Sequence, residues 1–559
     1  MPDRDYIPLV ADMLKECEKY RDLLSADRIR ALEYYDGIMK DTPSDKGRSA
    51  VVSRDVRAMH KKALPPLVRT FLGSDRIVEY APVAEGDEEQ ADQATDYMNS
   101  VVFPEVGGYR IIADSIHDTL KLRNSVIAWW YDEKKIASVS KHTGLGEDEF
   151  AQMVAEPEVE VLEHTERMEM VEGQPMQVHD FKIKRIKTER KAAAECVPLE
   201  EFLIHPDAVD EDTSPMIGRK RKLRRTDLVA MGYDKDTVWG LPVNGADGEQ
   251  DEAEEITRRS QLESGKTELA HELQEIDYYE LYVRIDLDDD GIAELRRMCY
   301  GGKVAENTLL HNEECDDVQY AIIASNSQPH QWEGISIADD VMDLQRVKTV
   351  LLRNTLDNLY WQNNMQIAVK ADMIENLDAV TNPQFGQVIQ MKSGASDVRQ
   401  AIQPIIVPFV AKESFAMLSY IDNEKEERTG ITDASGGLPP DALQNVTAKA
   451  SALAEQQGIG QVEMMARTLA VGYRRFFRGL LRLIIRHQDK PRTVRLRNEW
   501  VTFDPRQWNA DMDCSVNTGL GAGTRERDLM TMQQVLQVQR EILANMGLQN
   551  PYVTPENFG

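Results

Sequence analysis

The segment from Ile337 to Asn363 carries one continuous apolar stripe. It reads Ile337-Ala-Asp-Asp-Val-Met-Asp-Leu-Gln-Arg-Val-Lys-Thr-Val-Leu-Leu-Arg-Asn-Thr-Leu-Asp-Asn-Leu-Tyr-Trp-Gln-Asn363. Its apolar residues recur at i, i+4, i+7, i+10 and i+14, namely at Ile337, Val341, Leu344, Val347 and Leu351. This spacing predicts a single helix about 40 Å long at 1.5 Å per residue.

The residues that follow this helix predict an insert and a second helix. A β-like stretch of about 45 residues contains Ile367 and Val369 and precedes a helix over Phe409 to Arg428. A glycine- and proline-rich break, Gly430 to Pro440, then leads into a long helix that ends near His487.

The rest of the chain mixes helical and strand patterns, and it predicts an α+β fold that is mainly helical. The N-terminal residues to about 75 predict helices, the second interrupted at Pro65-Pro66. Residues 158–187 alternate around a Gly173-Gln-Pro175 turn and predict a hairpin or meander. Further elements are predicted as strands at Ser125 to Tyr131, Tyr278 to Ile285, Ile292 to Cys299, Val494 to Phe503 and Met512 to Val516, and as a last helix from Arg525 to Met546.

The 559 residues contain 66 Lys and Arg against 96 Asp and Glu, a net charge of −30. A chain this acidic does not coat nucleic acid with its whole surface, because phosphate binding depends on Lys and Arg. The five cysteines are far apart, which predicts reduced thiols with neither disulfides nor a zinc site. The charged start and the lack of an 18-residue apolar run predict neither a signal peptide nor a membrane span.

The acidic turn from Asp286 to Gly291 matches the first half of a calcium loop. Asp286, Asp288 and Asp290 occupy loop positions 1, 3 and 5, and Glu294 occupies position 9. Position 12, which needs a glutamate, is Arg297. Two interpretations therefore stay open: a structural Ca²⁺ site, and an Asp-Gly turn between two strands that needs no ion.

Other short motifs give little support for catalysis. Gly519-Leu-Gly-Ala-Gly523 is best explained as a tight turn with Thr524 as a helix N-cap. The sequence has no P-loop motif for an ATP-driven motor, and the ten histidines form no cluster along the chain. Isolated histidines such as His60, His117 and His487 are expected to be solvated helix residues. We expect no enzymatic activity and, apart from the calcium alternative, no cofactor.

The segment from Arg467 to Arg506 has eleven bases and three acids, about +8 within an acidic chain. Two interpretations stay open: pairing with the acidic surplus, within or between chains, and contact with DNA phosphates. The residues expected to form this basic patch are Arg467, Arg474, Arg475, Arg478 and Arg482.

Several short segments carry the most informative pattern of the chain. In chain order they are Arg48-Ser-Ala-Val-Val-Ser-Arg-Asp55, Gly334-Ile-Ser-Ile-Ala-Asp339, Leu344-Gln-Arg-Val-Lys-Thr349, Arg353-Asn-Thr-Leu-Asp-Asn-Leu-Tyr360, Glu427-Arg-Thr-Gly-Ile431, Trp500 to Pro505 and Gly519-Leu-Gly521. In this order they resemble the portal proteins of tailed bacteriophages, in particular those of short-tailed phages related to the Salmonella transducing type. The resemblance extends from residue 48 to residue 523.

The resemblance implies a ring, usually of twelve subunits, at one capsid vertex. It also implies a portal fold with a wing, a stem, a clip and a crown, in which the wing and clip have small β-rich regions. On this basis the segments are wing at 1–335, stem helix 1 at 336–363, clip at 364–408, stem helix 2 at 409–429, tunnel loop at 430–447, wing helix and strands at 448–523, and crown helix at 524–559.

The resemblance also implies where the functional residues lie. The expected tunnel-loop residues, facing the channel, are Thr432, Asp433, Ser435, Gly436, Gly437, Leu438, Pro439 and Gln444. The expected stem residues are Gln345, Lys348, Arg353, Asn354 and Asn358, and the expected clip residues are Asn382, Gln384, Phe385 and Gln387.

The implied function is a channel for DNA packaging and ejection and a docking platform, in the virion and, during assembly, in the host cytoplasm. The implied partners are further copies of the chain, double-stranded DNA, the terminase large subunit, a head–tail adaptor, and capsid and scaffolding proteins, without a membrane. Two alternatives remain open: another head–tail structural protein of the virion, and a metal-dependent DNA-processing enzyme that uses the carboxylates of Asp286 to Glu294.

Overall fold

The computed structural model describes residues 6–156, 159–171, 174–242, 257, 274–287, 290–304, 308–364, 366–382, 384, 386–392, 398–409, 411–431, 448–488, 491–496, 499–518, 532, 536–537 and 539. Both helices and sheets contribute, so the fold is α+β. None of the helices in these ranges is long and apolar enough to span a bilayer.

The helices in the described ranges have the following bounds in chain order. They are α1 (Ile7–Asp36), α2 (Asp55–Leu72), α3 (Glu88–Tyr97), α4 (Phe103–Glu105), α5 (Gly108–Leu122), α6 (Glu147–Val154), α7 (Arg225–Ala230), α8 (Lys235–Gly240), α9 (Ile337–Asn363), α10 (Asp378–Thr381), α11 (Val398–Ala401), α12 (Ala411–Thr429) and α13 (Ala448–His487). A π-helical turn, Met98–Val102, links α3 to α4.

The strands in the described ranges form five antiparallel groups. They are β1 (Val78–Ala81), β2 (Asn124–Leu145), β3 (Val159–Val171), β4 (Gln174–Val197), β5 (Phe202–Ile204), β6 (Met216–Arg224), β7 (Glu275–Ile285), β8 (Glu294–Gly301), β9 (Leu309–Glu314), β10 (Tyr320–Ala324), β11 (Ile367–Val369), β12 (Ile402–Pro404), β13 (Arg492–Leu496), β14 (Glu499–Phe503) and β15 (Asp513–Val516). The two larger sheets have the orders β10-β2-β4-β3 and β5-β6-β7-β8-β9.

The chain divides into two compact units. Unit 1 comprises residues 1–29, 64–335 and 462–559, and unit 2 comprises residues 30–63 and 336–461. Residues 30–63, which lie inside the segment predicted as wing, thus group with the segment predicted as stem and clip.

In unit 1 the five-stranded sheet is covered by the N-terminal helix. Val10, Leu14 and Cys17 of α1 pack into one core with Leu281 and Met298 of the sheet. Helices α7 and α8 contribute to a separate core with β7 and β8. The strand pair predicted at Tyr278 to Ile285 and Ile292 to Cys299 is therefore confirmed as part of a larger sheet.

The C-terminal part of α13 crosses the four-stranded sheet of unit 1 at very short range. A Cβ atom added to Gly479 would lie 2.2 Å from Cζ2 of Trp129, and one added to Gly472 would lie 2.8 Å from the carbonyl oxygen of Ile322. Phe476, one turn before Gly479, stacks edge-on against Trp129 at 5.8 Å. The absence of side chains at these two positions lets the helix backbone touch the sheet.

In unit 2 the helix predicted from Ile337 to Asn363 is confirmed with those bounds. Ser336 caps it: its hydroxyl accepts the backbone N–H of Asp339, and the Asp339 carboxylate accepts the Ser336 N–H in return. This reciprocal capping box explains why the helix begins where its apolar stripe begins.

Two local predictions are wrong. Helix α2 continues through Pro65 and Pro66, because its apolar face remains buried on both sides of them at Ala63 and Leu67. The strand predicted from Val494 to Phe503 is instead a hairpin of β13 and β14. The predicted final helix, Arg525 to Met546, lies outside the described residues apart from four positions.

Candidate functional site

The helices α9 and α12 of unit 2 lie side by side and are joined by a Lys–Asp cluster, formed by Asp55, Lys348, Asp422 and Lys425. The Lys348 ammonium donates to Asp55 at 2.9 Å and to Asp422 at 2.5 Å. The Lys425 ammonium donates to the same two carboxylates at 2.9 and 2.8 Å. Two cations and two anions thus alternate, which satisfies charges that are costly to bury singly.

The surroundings of Asp55 and Lys425 favour the charged forms of these two groups. Burial by itself would raise the pKa of Asp55, but hydrogen bonds from Ser53, Lys425 and Lys348 outweigh it and hold the pKa below its usual value. Burial would likewise lower the pKa of Lys425, yet its bonds to Asp422 and Asp55 raise it. Both shifts therefore stabilise the ion pair between Asp55 and Lys425.

Four of the five residues predicted for the stem bind within unit 2. Gln345 is fully buried: its oxygen accepts the Val56 N–H at 2.9 Å and its amide donates to the Tyr34 carbonyl at 2.9 Å. Arg353 donates to the carbonyls of Val51 and Thr42 at 2.9 and 2.6 Å.

The two remaining predicted stem residues differ in their surroundings. Asn358 donates to the Pro408 carbonyl at 3.1 Å, at the end of the inserted segment, while Asn354 is exposed. With Lys348 in the Lys–Asp cluster, the structure gives most of these side chains a role in holding α9 to its neighbours.

Apolar side chains remain exposed along the same helices. On α9 three of these residues, Val347, Val350 and Trp361, follow one helical row that also contains Asn354, while Tyr360 is exposed off this row. On α12 Phe415 and Tyr420 are more than half exposed. Exposed apolar rows of this extent are typical of surfaces that bind another protein.

The segment predicted as clip, 364–408, has less sheet than expected. Its strands β11 and β12 pair over three residues each, and most side chains around them are exposed. Among the residues of this segment that the structure describes, Ile374 is the one large apolar side chain that is buried, so a larger sheet there would have little core to cover.

Of the predicted clip residues, Asn382, Gln384 and Gln387 are exposed on this segment. Phe385 lies outside the described residues. The eight predicted tunnel-loop residues, between Thr432 and Gln444, also lie outside them.

In the predicted basic patch, four of the five arginines pair with carboxylates of the same chain. Arg475 binds Asp212 through two nitrogens at 2.6 and 2.9 Å, and Arg482 binds Asp317 at 3.2 Å and Asp511 at 3.1 Å. Arg467 pairs with Glu463, and Arg474 pairs with Asp513.

Arg478 differs from the other four. Within the described part of the chain it forms no ion pair, and its Nε is buried without a hydrogen-bond partner. The pairing interpretation thus accounts for the other four residues of the patch.

The acidic turn between β7 and β8 uses its carboxylates to bind its own backbone. Asp286 accepts the N–H groups of Asp290 and Gly291 at 3.2 and 2.9 Å, and Asp290 accepts that of Ile292 at 2.7 Å. Gly291 has φ +90°, as a tight turn requires. These hydrogen bonds are the ones expected under the second interpretation, in which an Asp-Gly turn joins the two strands without an ion.

The carboxylates of Asp286, Asp290 and Glu294 also lie close enough to share one cation, with ligand atoms within 4.8 Å. Asp288 lies outside the described residues. The Ca²⁺ site stays a prediction.

The expectation that the histidines form no cluster is wrong, because His164 and His179 are hydrogen-bonded to each other at 2.9 Å, next to Glu166. The expectation of a solvated residue is also wrong for His60, which is buried against Tyr35. His487 is exposed at the end of α13, as predicted, and stacks on Tyr131 at 5.0 Å.

The sequence signal for the histidine pair is the alternation of the predicted hairpin, which becomes informative only when its register is known. In the structure Val171 pairs with Gln174, so the positions of cross-strand partners along this part of the hairpin sum to 345. Glu166 therefore pairs with His179, and His164 lies two positions away on the same face.

A family model described as phage SU10 portal protein matches residues 6–558. A search of curated proteins gives no match. The match covers nearly the whole chain, including both units, and agrees with the segments that carry the resemblance. The chain belongs to the phage SU10 portal protein family and is a portal protein of the tailed-phage type.

Proposed function

We propose that the chain assembles into a closed ring of about twelve copies at one capsid vertex, with a central channel for double-stranded DNA. In this proposal α9 and α12 are the two stem helices and residues 364–408 are the clip between them. Residues 430–447 form the tunnel loop, and the segments 1–335 and 448–523 form the wing. The residues from 524 onward form the crown.

The observation that carries this proposal is the exposed apolar row on α9. Val347, Val350 and Trp361 lie on the side of the helix opposite Gln345 and Thr349, which are fully buried within unit 2. A helix that buries one face and leaves apolar residues on the other is suited to pack against a second chain. In a ring each copy would cover the row of the next copy through a heterologous interface.

The charge of the chain supports a conduit that does not grip DNA. Each copy has a net charge of −30. Four arginines of the basic patch pair with carboxylates of the same chain, so few cations remain there to bind phosphates tightly. A lining that neutralised many phosphates would hold the duplex by several kcal/mol and oppose its movement.

The partners follow from the same arrangement. The clip, whose residues Asn382, Gln384 and Gln387 are exposed, would dock the terminase large subunit during packaging and a head–tail adaptor afterwards. The outer parts of the ring would contact capsid and scaffolding proteins. The protein would assemble in the host cytoplasm and remain at the vertex of the virion.

The portal family is structural rather than enzymatic. We therefore assign the energy for DNA movement to a separate motor and no catalysis to this chain. The bonds from Asp286 to the backbone of its turn give these carboxylates a structural use. Metal-dependent cleavage of DNA by the purified chain, lost on Asp286→Asn, would contradict this assignment.

Electron microscopy of the purified chain tests the ring directly. Rings with a central hole are expected for the wild type, and mostly single chains for the double variant Val347→Asp/Val350→Asp. Val209→Asp is the control, because Val209 is an equally exposed valine of unit 1. Rings that persist in the double variant would contradict the interface, and their absence in the wild type would contradict the ring.

A deletion tests the clip separately. Removal of residues 366–405, closed by a Gly-Ser linker, keeps the bonds from Asn358 and Gln362 to the carbonyls of Pro408 and Val407. Rings should still form, while binding of the terminase large subunit should be lost. Terminase binding that survives the deletion would show that another part of the chain docks the motor.

A further inference from the structure

One face of the β3–β4 hairpin brings together two histidines and a glutamate. The register pairs Glu166 with His179 and His164 with Phe181. Alternate residues of a strand share a face, so His164 and Glu166 project together from β3, and His179 projects beside them from β4. All three side chains belong to unit 1.

The donor atoms of these residues already converge. Nε2 of His164 lies 2.9 Å from Nδ1 of His179. One ring nitrogen of each histidine and one carboxylate oxygen of Glu166 all lie within 4.8 Å of one another. Two nitrogens that each bind a tetrahedral zinc ion at about 2.0–2.1 Å lie about 3.3 Å apart from one another. The spacing of the two rings therefore needs little change to hold an ion.

An aromatic ring fixes the planes of the two imidazoles. Phe150 of α6 stacks on His164 at 4.5 Å with an interplanar angle of 6°, and on His179 at 4.8 Å with an angle of 7°. Side chains held by packing lose little further conformational freedom when they bind a ligand. The stack thus pre-organises the two donors.

The cluster is open to solvent on one side. His179 is only 4% exposed, whereas His164 and Glu166 are exposed. An ion can therefore enter from solvent and reach a buried nitrogen, with water completing its coordination.

We propose that His164, Glu166 and His179 bind one divalent transition-metal ion of the zinc class. Imidazole nitrogens with a carboxylate form the donor set that such ions prefer, whereas calcium and magnesium prefer oxygen donors alone. Binding replaces the hydrogen bond between the rings: one histidine moves its proton to its other ring nitrogen, so both offer a lone pair to the ion.

The ion would join β3 to β4 and stabilise the hairpin. The second ring nitrogen of His179 is buried and has no hydrogen-bond partner among the residues described. Ligating histidines usually have such a partner, whose loss costs about 10–100-fold in affinity. We therefore expect binding weaker, by about that factor, than in sites where both histidines have one.

The test uses the full-length chain without a histidine tag, freed of metal by chelation. Calorimetric titration with Zn²⁺ should give one ion per chain, and Co²⁺ should produce a visible absorption band. Hydrogen exchange in residues 159–197 should slow when Zn²⁺ is added. Glu166→Gln, at an exposed position, should weaken Zn²⁺ binding by about tenfold or more, and His164→Gln by about 100-fold or more.

His142→Gln is the matched control, because His142 stacks on Phe181 beside the cluster at 5.4 Å but is not one of the three donors. It should bind Zn²⁺ like the wild type. The proposal would be overturned if the wild type did not bind Zn²⁺, or if the Glu166→Gln and His164→Gln variants bound Zn²⁺ as tightly as the wild type. Ring formation is measured separately, so neither result depends on the proposed portal ring.

Discussion

Lys425 of α12 donates to Asp55 at the start of α2 across 2.9 Å, although 370 residues separate the two along the chain. The bond belongs to the Lys–Asp cluster, and its two partners are well buried: the Asp55 side chain is 5% exposed and the Lys425 side chain is 9% exposed. An ion pair this well buried matters most when one partner is missing, because the remaining charge then lacks compensation.

Asp55→Ala should therefore lower the free energy of unfolding by about 3 kcal/mol or more, since it leaves two lysines to share Asp422. Urea denaturation measures the effect. Asp343→Ala is the control, because its pair with Arg428 lies at the surface and should contribute no more than about 1 kcal/mol. Equal losses in the two variants would show that the cluster has no special role.

Glu201 makes the stability of unit 1 depend on pH. Burial raises the pKa of its carboxyl to about 7, against the opposing effects of Arg219 and Arg221. Between the usual pKa of 4.5 and about 7 the folded chain holds a proton that the unfolded chain has released. Stability from this group therefore falls as the pH rises through that range.

Glu201→Gln removes the dependence and should stabilise the protein more at pH 8 than at pH 5. Thermal unfolding of the wild type and of the Glu201→Gln variant at pH 5 and pH 8 checks this prediction. A difference in melting temperature between the two proteins that is the same at both pH values, or larger at pH 5, would contradict the raised pKa of Glu201.

Gly479→Ala should destabilise the protein although alanine favours helices by about 1 kcal/mol. The new Cβ would overlap the buried Trp129 ring, so the helix would have to move away from the sheet. This movement should lower the free energy of unfolding by about 1–3 kcal/mol more than the better helix propensity of alanine raises it. Gly240→Ala, also in a helix but with no atom within 4 Å of the new Cβ, should be neutral or slightly stabilising. A melting temperature that rises in both variants would refute the close contact.

Two arginines of the basic patch should differ in their contribution to stability. Arg475→Gln loses the paired bonds to Asp212 and a bond to the Tyr320 carbonyl, which should cost about 2 kcal/mol. Arg467→Gln loses only an exposed pair with Glu463 on the same helix, which should cost about 0.5 kcal/mol or less. Denaturation curves of the two variants, taken in the same buffer, compare the losses.

If both variants are as stable as the wild type but bind DNA more weakly, the arginines serve DNA contact and not internal pairing. Filter binding at low salt gives that second measurement.

Patterns within one element were predictable from sequence. The bounds of α9 follow from the apolar stripe and from Ser336 as its cap. The hairpin predicted at 158–187 is confirmed, but its turn was predicted too late in the chain: Gln174 and Pro175 already belong to β4, where they pair with Val171 and Met170. The α+β class followed from the same two periodicities.

Pairings between distant segments were not predictable. Asp55 and Lys348 both lie in segments that resemble the family, yet nothing in either pattern indicates that they bind each other. Helix α2 continues through Pro65 and Pro66 because burial of its apolar face stabilises it more than the low helix propensity of proline destabilises it. The buried Gln345 and the half-buried Arg353 link α9 to residues 34–56, and these links depend on the same long-range packing.

The links between the segment 49–56 and α9 have a consequence for the order of folding. The N–H groups of Ser49 and Val56 bind Asp357 and Gln345, which are 308 and 289 residues further along the chain. At a synthesis rate of about 5–20 residues per second, these donors wait about 15 to 60 seconds on the ribosome for their acceptors. Unit 2 therefore cannot close before α9 is made, and its early segment stays open to chaperones while residues 64–335 of unit 1 are synthesised.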